Sequence, residues 1–221
     1  IKEKIPKDLL IQWELGKLRI EMRYKSQVDC ISKFEKLLNN EGINLLVLKG
    51  IGLSLVYPVK EHREWGDIDV YLYGKFEIGN NLAKSIGLEV IRVGDKHTQF
   101  VFKGFTIENH NTFLNSSLCR TDMQLEKELS LLVLESVDSS NEQTANYPSA
   151  NFNAIFLTRH AIKHFLSGGI VLRHIIDLAL FFEKNHSQVN FKHITKILYM
   201  NNQYRLLISF SHHPGGIFPH S

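Results

Sequence analysis

Cysteine is scarce. The 221 residues hold two, Cys30 and Cys119, and no CxxC pair. Two isolated thiols build neither a disulfide framework nor a cysteine metal site, so a reduced, cytoplasmic setting is expected. Long apolar runs are also missing. Runs such as 131–134 and 178–182 stop far short of the roughly 20 residues that cross a bilayer, which argues against a membrane span. Charge of one sign is in short supply: 26 basic residues stand against 23 acidic ones, net +3. That surplus is too small to require a nucleic-acid partner. Residues 1–4 mix charges and lack the apolar stretch of a secretion signal. The chain begins at Ile1 rather than Met, and 211–221 carries two prolines, two glycines and three histidines. That end reads as a flexible tail, and the chain as processed or as a fragment. What remains is a globular composition, 43% hydrophobic and 22% charged with 14 phenylalanines, long enough to bury a core without cross-links.

Residues 7–39 read as one helix. Apolar positions from Leu9 to Leu38 recur mostly at spacings of three and four, Pro6 suits a first turn, and Asn39-Asn40-Glu41-Gly42 ends it. The pattern then changes. Residues 45–48 are a short continuous apolar run, the mark of a buried strand, followed by Gly50, Gly52 and a short helical stretch to Tyr57-Pro58. A polar loop at 59–65 precedes a strand at 67–73 and a helix at 76–86. Strands follow at 89–93, 99–103 and 105–110, the last two joined as a hairpin at Gly104. From Thr121 the chain turns helical: 125–135, a polar loop at 136–150, then 154–166, 172–184 and 191–200. The expected class is α+β. An N-terminal helical segment (1–40) precedes a small mixed-sheet core (41–115), a C-terminal helical domain (116–210) and the tail (211–221).

Three patterns in the core carry chemistry. In Gly66-Asp67-Ile68-Asp69-Val70 the two carboxylates share one strand face while Ile68 and Val70 take the other. Like charges so close are unfavourable without a cation, and Mg2+ prefers oxygen ligands of this kind. Glu108 and His110 likewise share a face of the 105–110 strand. Were that strand to neighbour the first, three carboxylates would converge, a set able to hold the metal of a phosphoryl displacement. In Leu48-Lys49-Gly50-Ile51-Gly52 a buried strand runs into a glycine turn and a helix. This layout lets backbone N–H groups approach a phosphate, with Lys49 adding a point charge.

Together these motifs resemble the DNA polymerase beta-like nucleotidyltransferase superfamily. Within it they resemble most a bacterial group of uncharacterised nucleotidyltransferases. The residues that carry the likeness are Leu48-Lys49-Gly50, Tyr57-Pro58, Arg63, Gly66-Asp67-Ile68-Asp69 and Glu108-Asn109-His110, then His160, His164, Arg173 and Asp177. Two features depart from the superfamily pattern: Ile51 stands where Gly or Ser is usual, and the 52–66 spacer is long. The resemblance implies an Mg2+-dependent enzyme, with Mn2+ as the alternative ion. It would transfer a nucleoside monophosphate from a nucleoside triphosphate, ATP among the donors, to a hydroxyl acceptor and release pyrophosphate. Asp67, Asp69 and Glu108 would bind the metal, and Glu108 would help deprotonate the acceptor. Lys49, Gly50, Gly52, Arg63, His110 and Arg173 would contact the nucleotide. The acceptor, a small molecule, a protein or an RNA end, is left open.

Bland readings stand beside these. Arg173 and Asp177 are spaced for an intrahelical ion pair. His97 suits the surface. His160 and His164 have the spacing of zinc ligands on a helix, but no H-E-x-x-H base lies between them. A polar helix face, or a hydrogen bond to Asp177, fits them better. A non-catalytic nucleotide-binding protein on the same fold is the competing function, and the complete acidic triad weighs against it. Asparagine at Asp67 or Asp69 is expected to abolish metal-dependent nucleotide binding with little loss of folding, and to raise the melting temperature by relieving repulsion.

Overall fold

The computed structural model describes residues 5–64, 66–114, 120–138, 147–169 and 171–200. The expected tail at 211–221, the end of the helical domain at 201–210, and Cys119 lie outside them. The chain opens with a 34-residue helix, α1 (Lys7–Asn40), about 51 Å long at 1.5 Å per residue. A five-stranded sheet follows, with helices on both of its faces. Its strands are β1 (Leu46–Val47), β2 (Ile68–Tyr71), β3 (Ile91–Val93), β4 (His97–Phe102) and β5 (Phe105–His110), in the order β1-β2-β5-β4-β3. β1 and β2 are antiparallel, β2 and β5 parallel, and β5–β4–β3 an antiparallel meander. Helices α2 (Ile51–Ser54) and α3 (Phe76–Ser85) sit between strands. Helices α4 (Arg120–Asp138), α5 (Ala150–Ser167), α6 (Leu172–Asn185) and α7 (Phe191–Met200) form the C-terminal half. Among the described residues no helix is long and apolar enough to cross a membrane.

Strand alternation divides the side chains between two cores. Val47, Ile68, Val70, Phe100, Phe102 and Ile107 pack with Phe34 and Leu38 of α1. Leu46, Leu48 and Phe113 pack with Leu125, Phe152, Phe156 and Leu178 of the helical half. This explains why 45–48 is uniformly apolar: β1 feeds both cores, so neither face can be polar. On β2, β4 and β5 the same alternation sends Asp69, Gln99, Glu108 and His110 to the face that the helical half overlooks. The β4–β5 turn is a two-residue hairpin in which Lys103 and Gly104 both have positive φ, 51° and 82°, the geometry that twisted strands favour.

The sequence expectations hold for the order and type of elements and shift at their edges. β2 starts at Ile68, so Asp67 stands one residue ahead of the strand. The stretch after Gly50 makes only the four helical residues of α2. α5 begins at Ala150 rather than 154, because the Ser149 side chain caps it by accepting from the Phe152 N–H. α4 extends to Arg120 and Asp138 beyond the expected 125–135. Arg159 of α5 fixes its first turn through two hydrogen bonds to Asp122, 2.7 and 2.8 Å.

Candidate active site

The parallel pairing of β2 with β5 sets Asp69 directly opposite Glu108 and Tyr71 opposite His110. One ligand atom each from Asp69, Glu108 and His110 lies within 4.8 Å of the others. The His110 ring is fully buried, with Nε2 2.9 Å from Asp69 Oδ1 and 3.5 Å from Glu108 Oε2. Gln99 on β4, the register partner of Glu108, donates to its Oε1 at 2.7 Å. Lys49, two residues past β1, brings its Nζ to 3.0 Å from Asp69 Oδ1. Asp67 stays exposed in front of this group.

The charges follow the geometry. Burial alone would raise Asp69. The Lys49 ammonium and the His110 ring outweigh it and hold this carboxyl well below its usual range. Glu108 is also lowered: burial raises it, but hydrogen bonds from His110 and Gln99 prevail. Asp67 moves the other way, up, through partial desolvation of its carboxyl first and then the nearby Glu108 and Asp69 carboxylates. Burial lowers His110, yet its bonds to Asp69 and Glu108 bring it above the ordinary value. The site therefore holds two firmly ionised acids and a third that would gain from a cation.

A cleft of about 220 Å³ opens over Asp67 and Asp69, lined with them by Lys49, Gly50 and Arg63 on the sheet side and by His160, His164, Arg173, His174 and Asp177 from α5 and α6. Gly50 has φ +62°, a backbone state that strains any residue with a Cβ. Its carbonyl accepts from Arg63 at 2.8 Å.

Several candidate residues take roles the sequence did not foresee. Arg63 is buried and commits its fork to Asp177, Nε to Oδ1 and Nη2 to Oδ2, each 2.8 Å. It is a structural clamp rather than a free phosphate ligand. Asp177 accepts additionally from the Tyr57 hydroxyl at 2.7 Å, so the expected Arg173–Asp177 ion pair is replaced. Arg173 instead donates to the Glu64 carbonyl. Gly52 does not face the cleft: a Cβ there would meet the Tyr147 ring at 3.0 Å. His110 is sealed behind the acids and orients them. With α2 only four residues long, a helix dipole adds little at Gly50, leaving Lys49 and the turn's backbone as the cationic features there. His97 is not a surface residue. It is half-buried, stacks on His110 at 5.3 Å and lies 3.6 Å from Glu108.

Sequence reasoning missed Gln99, Lys96 and His174. Gln99 was legible as the i+2 neighbour of His97 on an alternating strand. Lys96 gave no pattern. Its ammonium is buried near the acids and, through burial and then the Lys49 charge, pushed down to about 8. His174 lies across a turn from His160 and His164. Burial first, then Lys49, pushes His160 down to about 2, and burial also lowers His164 and His174.

The fold has a counterpart among solved structures. The solution structure of the antibiotic-resistance factor ANT(2'')-Ia superposes with a TM-score of 0.52 at 13% identity, covering 86% of this chain and 98% of that one. At that identity the likeness is one of fold. No curated protein matches the sequence. The model of a family described as uncharacterised nucleotidyltransferase matches residues 1–208, nearly the whole chain and every site residue above. The chain belongs to that nucleotidyltransferase family.

Proposed function

We propose that this protein transfers a nucleoside monophosphate from a nucleoside triphosphate to a hydroxyl-bearing acceptor and releases pyrophosphate, with Mg2+, or Mn2+ in its place, as the metal. The observation that carries this reading is the register of β2 on β5, which sets Asp69 against Glu108 with Asp67 in front. The donor set fits the ion: carboxylate oxygens, two of them ionised, are hard ligands of the kind Mg2+ takes beside substrate phosphates. Held by Asp67, Asp69 and Glu108, the ion would supply neutralisation of the triphosphate charge.

The chain's own residues do the rest. Lys49 and the backbone at Gly50 bind the phosphates on the β1 side of the cleft. His110 and Gln99 fix the Glu108 carboxylate so that it can accept the acceptor's proton. The acceptor oxygen then bonds to the α-phosphorus. The bridging α–β P–O bond breaks, and pyrophosphate leaves with the electron pair. Positioning and charge stabilisation supply most of the rate. The sheet core carries the chemistry, and helices α5 and α6 wall the acceptor side. A reduced cytoplasmic setting suits Cys30, a buried free thiol that burial pushes up to about 11.

A thermal-shift screen with ATP, GTP, CTP and UTP tests this, each with and without Mg2+. The expected result is an Mg2+-dependent rise in melting temperature for at least one nucleotide, since ligands of the native state stabilise it, and no such rise in Asp67→Asn. A rise independent of both Mg2+ and Asp67 would favour nucleotide binding without transfer.

A further inference from the structure

Opposite the acids, three imidazoles meet where α5 turns into α6. His160 and His164 lie one helical turn apart on α5, and His174 comes from the first turn of α6. Ring centroids are 4.5 Å apart for His160 and His164, 5.2 Å for His160 and His174, and 4.4 Å for His164 and His174. One ring nitrogen from each lies within 4.8 Å of the others. Hydrogen bonding does not explain the cluster. No side-chain hydrogen bond joins these rings to another described residue, and His174 Nδ1 is buried with no partner. Nor do the rings fill a core: each is only partly buried, and all three line the cleft.

We propose that His160, His164 and His174 form a three-histidine site for a divalent transition metal of the Zn2+ class, its fourth position open to the cleft. Three neutral imidazoles with one free position are a recurrent zinc set. Tetrahedral Zn–N bonds of 2.0–2.1 Å put ligand nitrogens about 3.3 Å apart, which the observed cluster reaches by small rotations of partly exposed rings. The chemistry keeps the two centres distinct. Borderline nitrogen donors select Zn2+, Co2+ or Ni2+, whereas the oxygens of Asp67, Asp69 and Glu108 suit Mg2+. The open position takes water, or a lone pair of a molecule seated in the cleft. This site stands on its own geometry and needs no assumption about nucleotide transfer.

The test is titration of the chelator-treated, full-length protein with Co2+, without nucleotide, followed by its visible absorption. One equivalent is expected to give the intense bands of tetrahedral cobalt, which Zn2+ abolishes and excess Mg2+ does not. His160→Ala and His174→Ala, each first shown to fold by circular dichroism, are expected to weaken Co2+ binding at least tenfold, and His164→Gln serves as the milder third variant. An Asp67→Asn/Glu108→Gln double variant keeps the bands. The proposal is overturned if the wild type gives no such bands. It is equally overturned if the bands survive the histidine variants, locating the ion on the carboxylate centre or on the histidines at 212, 213 and 220. A protein that binds Co2+ as described yet shows no Mg2+-dependent nucleotide shift would count against transferase function alone.

Discussion

Asp67 and Asp69 look equivalent as a D-x-D pair, but their surroundings separate them. Asp67 is exposed as a residue, and partial desolvation of its carboxyl, followed by its acidic neighbours, raises it. Asp67→Asn is therefore expected to leave the metal-free melting temperature unchanged or slightly higher. Asp69 is buried between Lys49 and His110, so Asp69→Asn keeps an acceptor oxygen but removes the negative charge that compensates the Lys49 ammonium and strengthens the bond from the buried ring. Hydrogen bonds to charged groups contribute about 1.5–3 kcal/mol against about 1 kcal/mol for neutral ones, and the metal-free melting temperature should fall. Melting both variants in chelator separates the two cases, and equal behaviour would contradict the assigned contacts. The expectation that relieved repulsion stabilises the protein thus applies to one acid of the pair. The sequence displayed both carboxylates. It could not display Lys49 as the counter-ion of one, since that contact depends on β1 lying antiparallel to β2.

At the scale of elements, α3 shows how closely helix and sheet approach behind the site. A Cβ on Gly79 would come within 2.2 Å of Leu72 Cδ1 and 3.5 Å of Asn109 Nδ2. Asn109 in turn donates to the Phe76 carbonyl and to Asn80, and Thr98 donates to Asn80 as well. Gly79→Ala should push α3 off this network at a cost of about 1–3 kcal/mol, read as a lower denaturation midpoint at unchanged slope. Most elements were legible because their apolar spacing is regular, as in α6 and β5. β3 was legible although Ile91, Arg92 and Val93 are all exposed, since its β-branched residues flank a turn. Beyond the β4–β5 hairpin, the pairing order β1-β2-β5-β4-β3 was not legible, because alternation fixes which face a residue takes and not which strand lies beside it. The three-histidine cluster was half legible for the same reason. His160 and His164 share a helical period, whereas His174 joins them only through the angle of the α5–α6 turn.

Across the whole molecule, the Arg63–Asp177 pair spans 114 residues and couples the sheet core to α6. Both partners are about 6% exposed. Arg63→Met would leave Asp177 buried with only Tyr57, and breaking one side of such a pair costs about 3–5 kcal/mol. Urea unfolding should register that loss, and pairing the change with Asp177→Leu should recover much of it. A loss under 1 kcal/mol for Arg63→Met would show that water reaches the pair.

The same clamp bears on how such a chain can change over evolutionary time. A cut between β5 and α4 would leave a buried arginine in one fragment and a buried aspartate in the other. It would also strip Leu46 and Leu48 of the helices that cover them. The helical half is therefore no interchangeable module. A recombinant that borrows it from a relative keeps its fold only by carrying a matching partner for Arg63, so acceptor preference in this lineage should change by substitutions within the cleft rather than by exchange of its wall.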